Sequence, residues 1–354
     1  MKNPNPRIRS ALEIFAQHKI DALLVNRDVN IHYLTEFPAH ESWLLITPRK
    51  TFYITDFRYI LEAQKGLKGI GIVQYKKSLH ETLWQLAEAN KIKALGFDER
   101  HVTLAQYKIL AKDKPRGIHL APANGLVEDL REIKEKKEVD LIRQALRIHA
   151  EALEYIKDYI KPGATEQQVL FKLEMFVKAQ GVDFSFSPII ASGPNSCFPH
   201  AKVSDRIIKN NECVMVDFGI DVKGYKSDLT RMFFLGRIPP LIKDTNTKVE
   251  TAQRLAIDKI RAGIKISDVD KMARNSLAKH RLDKFFGHAL GHGVGLDIHE
   301  SPRLAQTNNA LLKAGMVITV EPAVYIPNKF GIRIEDMVLV TEQKCEVLSG
   351  NIDH

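Results

Sequence analysis

Four carboxylates interrupt segments that otherwise read as the interior strands of a core. Asp217 lies in VMVDFG between Val216 and Phe218, and Asp228 opens the partner segment in KSDLTRMFF. Glu321 breaks VITVEPAVY, and Glu335 breaks GIRIEDMVL. A buried carboxylate without a partner is costly and otherwise takes up a proton. One such acid is ordinarily a salt-bridged or hydrogen-bonded core residue. Four of them, each in a strand and each near a glycine or proline, demand a fold that converges them on a cation.

The nitrogen donor for such a site lies in HALGHGVGLDIHE, which holds His288, His292 and His299. Glycines at 287, 291, 293 and 295 argue against a continuous zinc-binding helix, and HExxH is absent. Instead they let the backbone approach a neighbour closely. One histidine with four carboxylates is a hard, oxygen-rich set; it suits Mn²⁺, and less exclusively Co²⁺, Zn²⁺ or Fe²⁺. Four carboxylates and a hydroxide carry about five negative charges, which two divalent cations nearly balance and one does not. Two metals is the better count.

The 354 residues exceed the usual single-domain size, so two domains are expected. The first 123 or so alternate apolar runs (21–26, 42–48, 51–56, 71–76, 94–99, 118–123) with segments of helical periodicity (7–19, 57–65, 78–90, 103–112). Such alternation predicts a mixed α/β sheet covered by helices. No GxGxxG or Walker pattern accompanies it, so a nucleotide site has no support. From Val127 to about Ile160 the chain reads as one long charged amphipathic helix. Thr165 with Gln168 forms a capping box for a second. Strands at 212–220 and 229–236, helices at 247–262 and 267–281, and strands at 316–325 and 331–341 complete an α+β second domain. The boundary is placed at about residue 123, giving domains 1–123 and 124–354. Helix-helix-hairpin twice over hints at an old duplication in the second.

Lys plus Arg is 52 against 43 for Asp plus Glu, a net charge of +9. Much of the excess alternates with acid, as in REIKEKKEVDLIRQA, which is the pattern of a solvated helix face; no nucleic-acid partner is expected. Cys197, Cys213 and Cys345 are odd in number and lack metal spacing. They are read as free thiols of a reducing compartment. No apolar run follows the basic start, and no stretch approaches the roughly 18 apolar residues of a membrane span. A cytoplasmic protein without membrane association is expected.

At these motifs the sequence resembles the metallopeptidases of the creatinase/methionine aminopeptidase ("pita-bread") family, and within it the Xaa-Pro peptidase branch. SGPNSCFPHA, VMVDFG, YKSDLTR, GHALGHGVGLDIHE, GMVITVEPAVY and GIRIEDMVLV carry the resemblance in the family's order. NIHYLTEF and ITDFRY resemble its N-terminal domain, with one departure: Glu36 stands where the family usually has glycine. The resemblance implies that Asp217 is the terminal ligand of one metal. It gives His292 and Glu321 to the other, and makes Asp228 and Glu335 bridges. It also implies a substrate-facing His200, a His299 beside the scissile carbonyl and a His288 lining the pocket. Arg333 and Tyr325 fall where relatives place groups that orient the metal-binding Asp. Arg303 falls where some prolidases have an arginine for the substrate carboxylate. Each has a plainer reading: His200 as an exposed loop residue, His288 as a core histidine, Arg333 as half of an ion pair.

The implied activity is hydrolysis of an N-terminal Xaa-Pro bond, with Glu321 as proton shuttle and His299 stabilising the tetrahedral species. Aminopeptidase action on peptides with proline second is the reading preferred over a strict Xaa-Pro dipeptidase. A homodimer is implied by the resemblance alone. The rival of another class is a non-catalytic interaction module of the same fold; an intact ligand set argues against it, and a metal content below about one ion per chain would revive it.

Overall fold

The computed structural model describes residues 5–352 and divides into two units, one ending at Arg131 and the other beginning at Glu132. In the first, the apolar runs form β1 (Ala22–Val25), β2 (Trp43–Ile46), β3 (Thr51–Thr55), β4 (Gly71–Gln74), β5 (Ala94–Phe97) and β6 (His119–Pro122), ordered β4-β3-β2-β1-β5-β6. Pairs β1–β2 and β2–β3 are antiparallel, while β3–β4, β1–β5 and β5–β6 are parallel. The sheet is mixed, as the alternation predicted. β1, β2, β3 and β5 are buried along their whole length, so both faces are covered. The helices are α1 (Pro6–Glu13), α2 (Phe15–His18), α3 (Asp28–Thr35), α4 (Ile60–Gly66), α5 (Leu79–Ala89), α6 (Leu104–Asp113) and α7 (Leu126–Arg131). Leu83 and Trp84 of α5 pack with Leu24, Leu45, Ile54 and Leu95 of the sheet. Glu36 caps α3 in the left-handed conformation, at φ 57°. That conformation favours glycine, the residue expected here from the family pattern.

The single helix expected from Val127 to about Ile160 is two. α7 ends at Arg131, and α8 spans Lys136–Lys157 behind a capping box of Glu135 and Glu138. Lys134 N donates instead to Gly315 O. Charge periodicity runs straight through this break and gives no sign of it. α7 is fastened to the first unit: Arg131 donates to Asn30 Oδ1 at 2.8 Å, and Tyr33 Oη donates to Leu130 O at 3.1 Å. The first unit therefore continues past the boundary expected near residue 123.

The second unit adds α9 (Glu166–Ala179), α10 (Pro240–Lys259) and α11 (Ile266–Ala278), and α9 opens on the Thr165–Gln168 capping box. Its strands are β7 (Asp183–Phe184), β8 (Ile189–Ser192), β9 (Cys213–Phe218), β10 (Ile220–Val222), β11 (Tyr225–Lys226), β12 (Leu229–Phe234) and β13 (Gly291–Gly293). Then come β14 (Glu300–Leu304), β15 (Val317–Val320), β16 (Ala323–Ile326), β17 (Phe330–Arg333), β18 (Asp336–Val340) and β19 (Cys345–Val347). They pair as β12-β9-β8, β11-β10-β7, β14-β13-β15-β18-β19 and β16-β17. Helices α8 and α9 pack through Ala152, Ile156, Val169 and Leu173 against Val214 and Val216 of β9. α10 and α11 pack through Val249, Ala252, Val269 and Ala273 against Ile318, Val320 and Val338.

The strands expected at 316–325 and 331–341 are each interrupted. Glu321 and Glu335 do not sit within strands; each occupies a two-residue gap between them. Val320 pairs with Asp336 and Ala323 with Arg333, so one long hairpin is opened on both arms at the same level. Pro322 has no N–H to give the ladder. The glutamate N–H groups leave the hairpin: Glu321 N donates to Leu290 O at 2.8 Å and Glu335 N to Thr230 O at 3.4 Å.

Candidate metal centre

Asp217 stands on β9 opposite Thr230 of β12, and Asp228 immediately precedes β12. His292 is the middle residue of β13. A Cβ at Gly291 would lie 2.1 Å from Thr319 O, and one at Gly293 would lie 2.2 Å from Ser301 O. Only glycines at these two positions let β13 wedge between β14 and β15 and present His292.

The five residues expected to bind metal converge. His292 Nε2 is 3.5 Å from Asp228 Oδ2 and 3.4 Å from Glu321 Oε1. Donor atoms of Asp228, His292 and Glu335 all lie within 4.8 Å of one another. Asp217 joins them electrostatically, raising the pKa of Asp228 and of Glu335. Every carboxyl here is held above its ordinary range, first by burial. Asp228 and Glu335 are well above it, with repulsion from neighbouring carboxylates adding to burial. Glu321 is pushed up to about 8, with Asp217 adding to burial, and Asp217 is raised although Arg333 opposes the effect. Burial also lowers His292 to about 4, leaving a neutral imidazole able to donate a lone pair. Asp217 Oδ1 is buried without a hydrogen-bond partner. An oxygen-rich set of mutually repelling carboxylates, a neutral histidine and an orphaned carboxylate oxygen fits divalent cations.

Groups around the centre hold these side chains. Arg333 is buried; its guanidinium donates to Asp217 Oδ2, to Thr230 Oγ1 at 2.9 Å, to Tyr325 Oη at 2.6 Å and to Pro199 O at 3.1 Å. Arg333 thus touches Asp217 directly, whereas Tyr325 reaches it only through Arg333. Tyr325 Oη also lies 3.1 Å from His288 Nε2, and burial pushes its phenol up to about 12. Because Pro199 O is bound by Arg333, the loop bearing His200 is tied to the centre, and His200 itself is exposed. His299 packs edge-on against His292 with ring centroids 4.3 Å apart. Arg303 is exposed on β14, directly across from His292.

Two holding groups were not singled out in the sequence. Thr230 Oγ1 donates to Glu335 Oε2 at 2.8 Å while accepting from Arg333. Thr319 Oγ1 donates to Glu321 Oε1 at 3.2 Å and accepts from His292 N at 3.1 Å. Both threonines are buried. The signal available was spacing: each lies two residues from an expected ligand (Asp228, Glu321), a separation that shares a face in extended backbone.

Fold and site together define a metal-dependent hydrolase of the pita-bread class, preceded by a creatinase-type domain. The profile of metallopeptidase family M24 matches residues 140–342, and that of the creatinase/prolidase N-terminal domain matches residues 7–133. The chain belongs to metallopeptidase family M24. It is 32% identical to an Xaa-Pro dipeptidase of Pyrococcus horikoshii over 98% of this chain and 97% of that one. A solved Xaa-Pro dipeptidase from Bacillus anthracis superposes with a TM-score of 0.94 at 34% identity, covering 98% of each chain. A solved X-Pro aminopeptidase from Thermotoga maritima superposes with a TM-score of 0.87 at 30% identity, covering 96% of this chain and 97% of that one. Among the described residues no helix is long and apolar enough to cross a membrane.

Proposed function

We propose that the chain is an exopeptidase that hydrolyses the bond between an N-terminal residue and a following proline, acting as an Xaa-Pro aminopeptidase. The observation that carries this reading is the convergence of four carboxylates, three of them buried and Glu321 half-buried, and His292 in a chain of family M24. Asp217, Asp228, His292, Glu321 and Glu335 would hold two divalent cations, Mn²⁺ the first choice. Asp217 would serve one ion, His292 and Glu321 the other, and Asp228 and Glu335 both. Bound there, the cations supply a water of lowered pKa and polarise the scissile carbonyl.

The chain's own groups do the rest. Glu321 takes the proton of the attacking water on a carboxylate oxygen and passes it to the prolyl nitrogen. That transfer matters because a prolyl nitrogen carries no N–H and leaves poorly unless protonated. His299 donates to the oxygen that gains charge. His200 and His288 line the approach, and Arg333 favours the ionised form of Asp217 and orients it. The substrate α-amino group is held near the carboxylates, which restricts cleavage to the N-terminus.

A second reading, strict dipeptidase action, is favoured by Arg303, exposed across from His292 where a guanidinium could receive a substrate carboxylate. Stripped enzyme given back Mn²⁺, Co²⁺ or Zn²⁺ should cleave an Xaa-Pro tripeptide; chelation or Asp228→Ala should abolish this. Cleavage that survives both would sink the metallopeptidase reading, and cleavage of the dipeptide alone would select the second. A cytoplasmic location, supported by three unpaired thiols, and a homodimer accompany the reading. The homodimer is checked by light scattering.

A further inference from the structure

The segment between α11 and β13 carries His288, and it is gripped from behind by two residues outside the metal centre. Asp270, on α11, is fully buried. It accepts from Arg274 Nε at 2.6 Å and from Leu290 N at 3.2 Å. Arg274, one turn further along α11, donates to Phe286 O at 2.8 Å and to His288 O. Its guanidinium lies over the Phe286 ring, 4.2 Å from the centroid. One helix-borne ion pair thus holds backbone groups at 286, 288 and 290.

What the grip secures is the setting of an imidazole. His288 Nδ1 is 2.8 Å from Ala289 O, which accepts only, so that nitrogen carries the proton. Nε2 is then the acceptor for Tyr325 Oη at 3.1 Å, and Tyr325 in turn accepts from Arg333. The backbone at 288 and the phenol at 325 must both stay in place for this tautomer to persist. Phe286 packs edge-on against the same ring with centroids 5.0 Å apart.

We propose that Arg274, locked by Asp270, is a positioning residue that fixes the orientation and tautomer of His288 beside the metal centre. Its link to turnover rests on the peptidase reading; its link to His288 does not. Arg274 bonds two carbonyls and a carboxylate at once, a three-way geometry that suits a planar guanidinium and not an ammonium.

The test uses the full chain loaded with diamagnetic Zn²⁺, in wild type, Arg274→Met, Arg274→Lys and the exposed helix control Lys271→Ala. ¹⁵N shifts of the His288 ring should report one tautomer, protonated at Nδ1, in wild type and in Lys271→Ala. In Arg274→Met they should report a tautomer mixture, with Arg274→Lys restoring little. Unchanged His288 shifts in a folded Arg274→Met protein would overturn the proposal. If wild type cleaves an Xaa-Pro peptide, Arg274→Met should lower kcat/KM about tenfold. Combined with His288→Ala, it should add less than about twofold to the loss caused by His288→Ala alone. Independent, multiplying losses would show that Arg274 does not act through His288. If wild type does not cleave, the peptidase reading fails, and the ¹⁵N comparison still decides the role of Arg274. Should Arg274→Met fail to fold, Asp270→Asn, which keeps a side chain of the same shape, takes its place in the same comparison.

Discussion

At the scale of single residues, the most exacting group is a hydroxyl. Thr230 gives its proton to Glu335 and its lone pair to Arg333, so both that glutamate and the arginine that holds Asp217 depend on it. Thr230→Val keeps the shape and removes both bonds, leaving Arg333 Nε buried without an acceptor. The expected cost is about 1–3 kcal/mol in stability and roughly 10- to 100-fold in metal affinity or kcat, read by thermal unfolding and by titrating Mn²⁺ into stripped protein. His149 sets a pH dependence of another kind. It is fully buried, stacked on Phe218 with centroids 3.8 Å apart, and lies 3.3 Å from Ser227 Oγ. Burial, with the nearby Arg231 charge, holds it well below its ordinary 6.5. The folded state therefore keeps it neutral, while the unfolded chain takes up a proton as pH falls through 6.5. Stability is lost on acidification, at up to about 1.4 kcal/mol per pH unit for one group. Comparing unfolding free energies of wild type and His149→Phe at pH 5 and 7 isolates that contribution; equal slopes in the two proteins would rule it out.

At the scale of elements, caps and gaps mark where sequence and structure part. The capping box at Thr165 and the apolar runs of the first unit are local, and they are legible because local chemistry makes them. The break at residues 132–135 is not. It follows from a bond between Lys134 N and Gly315 O, a partner far away in sequence. Glu321 and Glu335 are visible as anomalies in apolar runs, but that they sit in facing gaps of one hairpin depends on Leu290 and Thr230 drawing their N–H groups away. Thr230 and Thr319 give no sign in the sequence, because a buried threonine in a strand is ordinary until its neighbour is a candidate ligand. One element invites repair. Lys91, just past the end of α5, is left-handed at φ 56° and donates its N–H to Glu88 O. Lys91→Gly should raise stability by roughly 0.5–1 kcal/mol through relief of that strain, measured as a higher Tm with unchanged secondary structure.

At the scale of the molecule, all five positions proposed to bind metal lie in the second unit, from Asp217 to Glu335, while the first unit has its own core around β1, β2, β3 and β5. Cations that bind only the folded state stabilise it in proportion to RT ln(1 + [M]/Kd), about 4 kcal/mol at a thousand times Kd. Chelation should therefore lower the protection of amides in β9, β12, β15 and β18 against hydrogen exchange and leave those of β1 and β5 unchanged. Equal loss of protection in both units would contradict this division. The opened hairpin carries a last consequence. Its far end, at Pro327, Asn328 and Lys329, is exposed, and β16 and β17 separate that end from the glutamates. The two glutamates keep their level through strand pairing, not through the length of the connecting turn. Residues can thus be added or removed at the turn without disturbing the centre, which makes position 328 a natural place to splice in a reporter peptide.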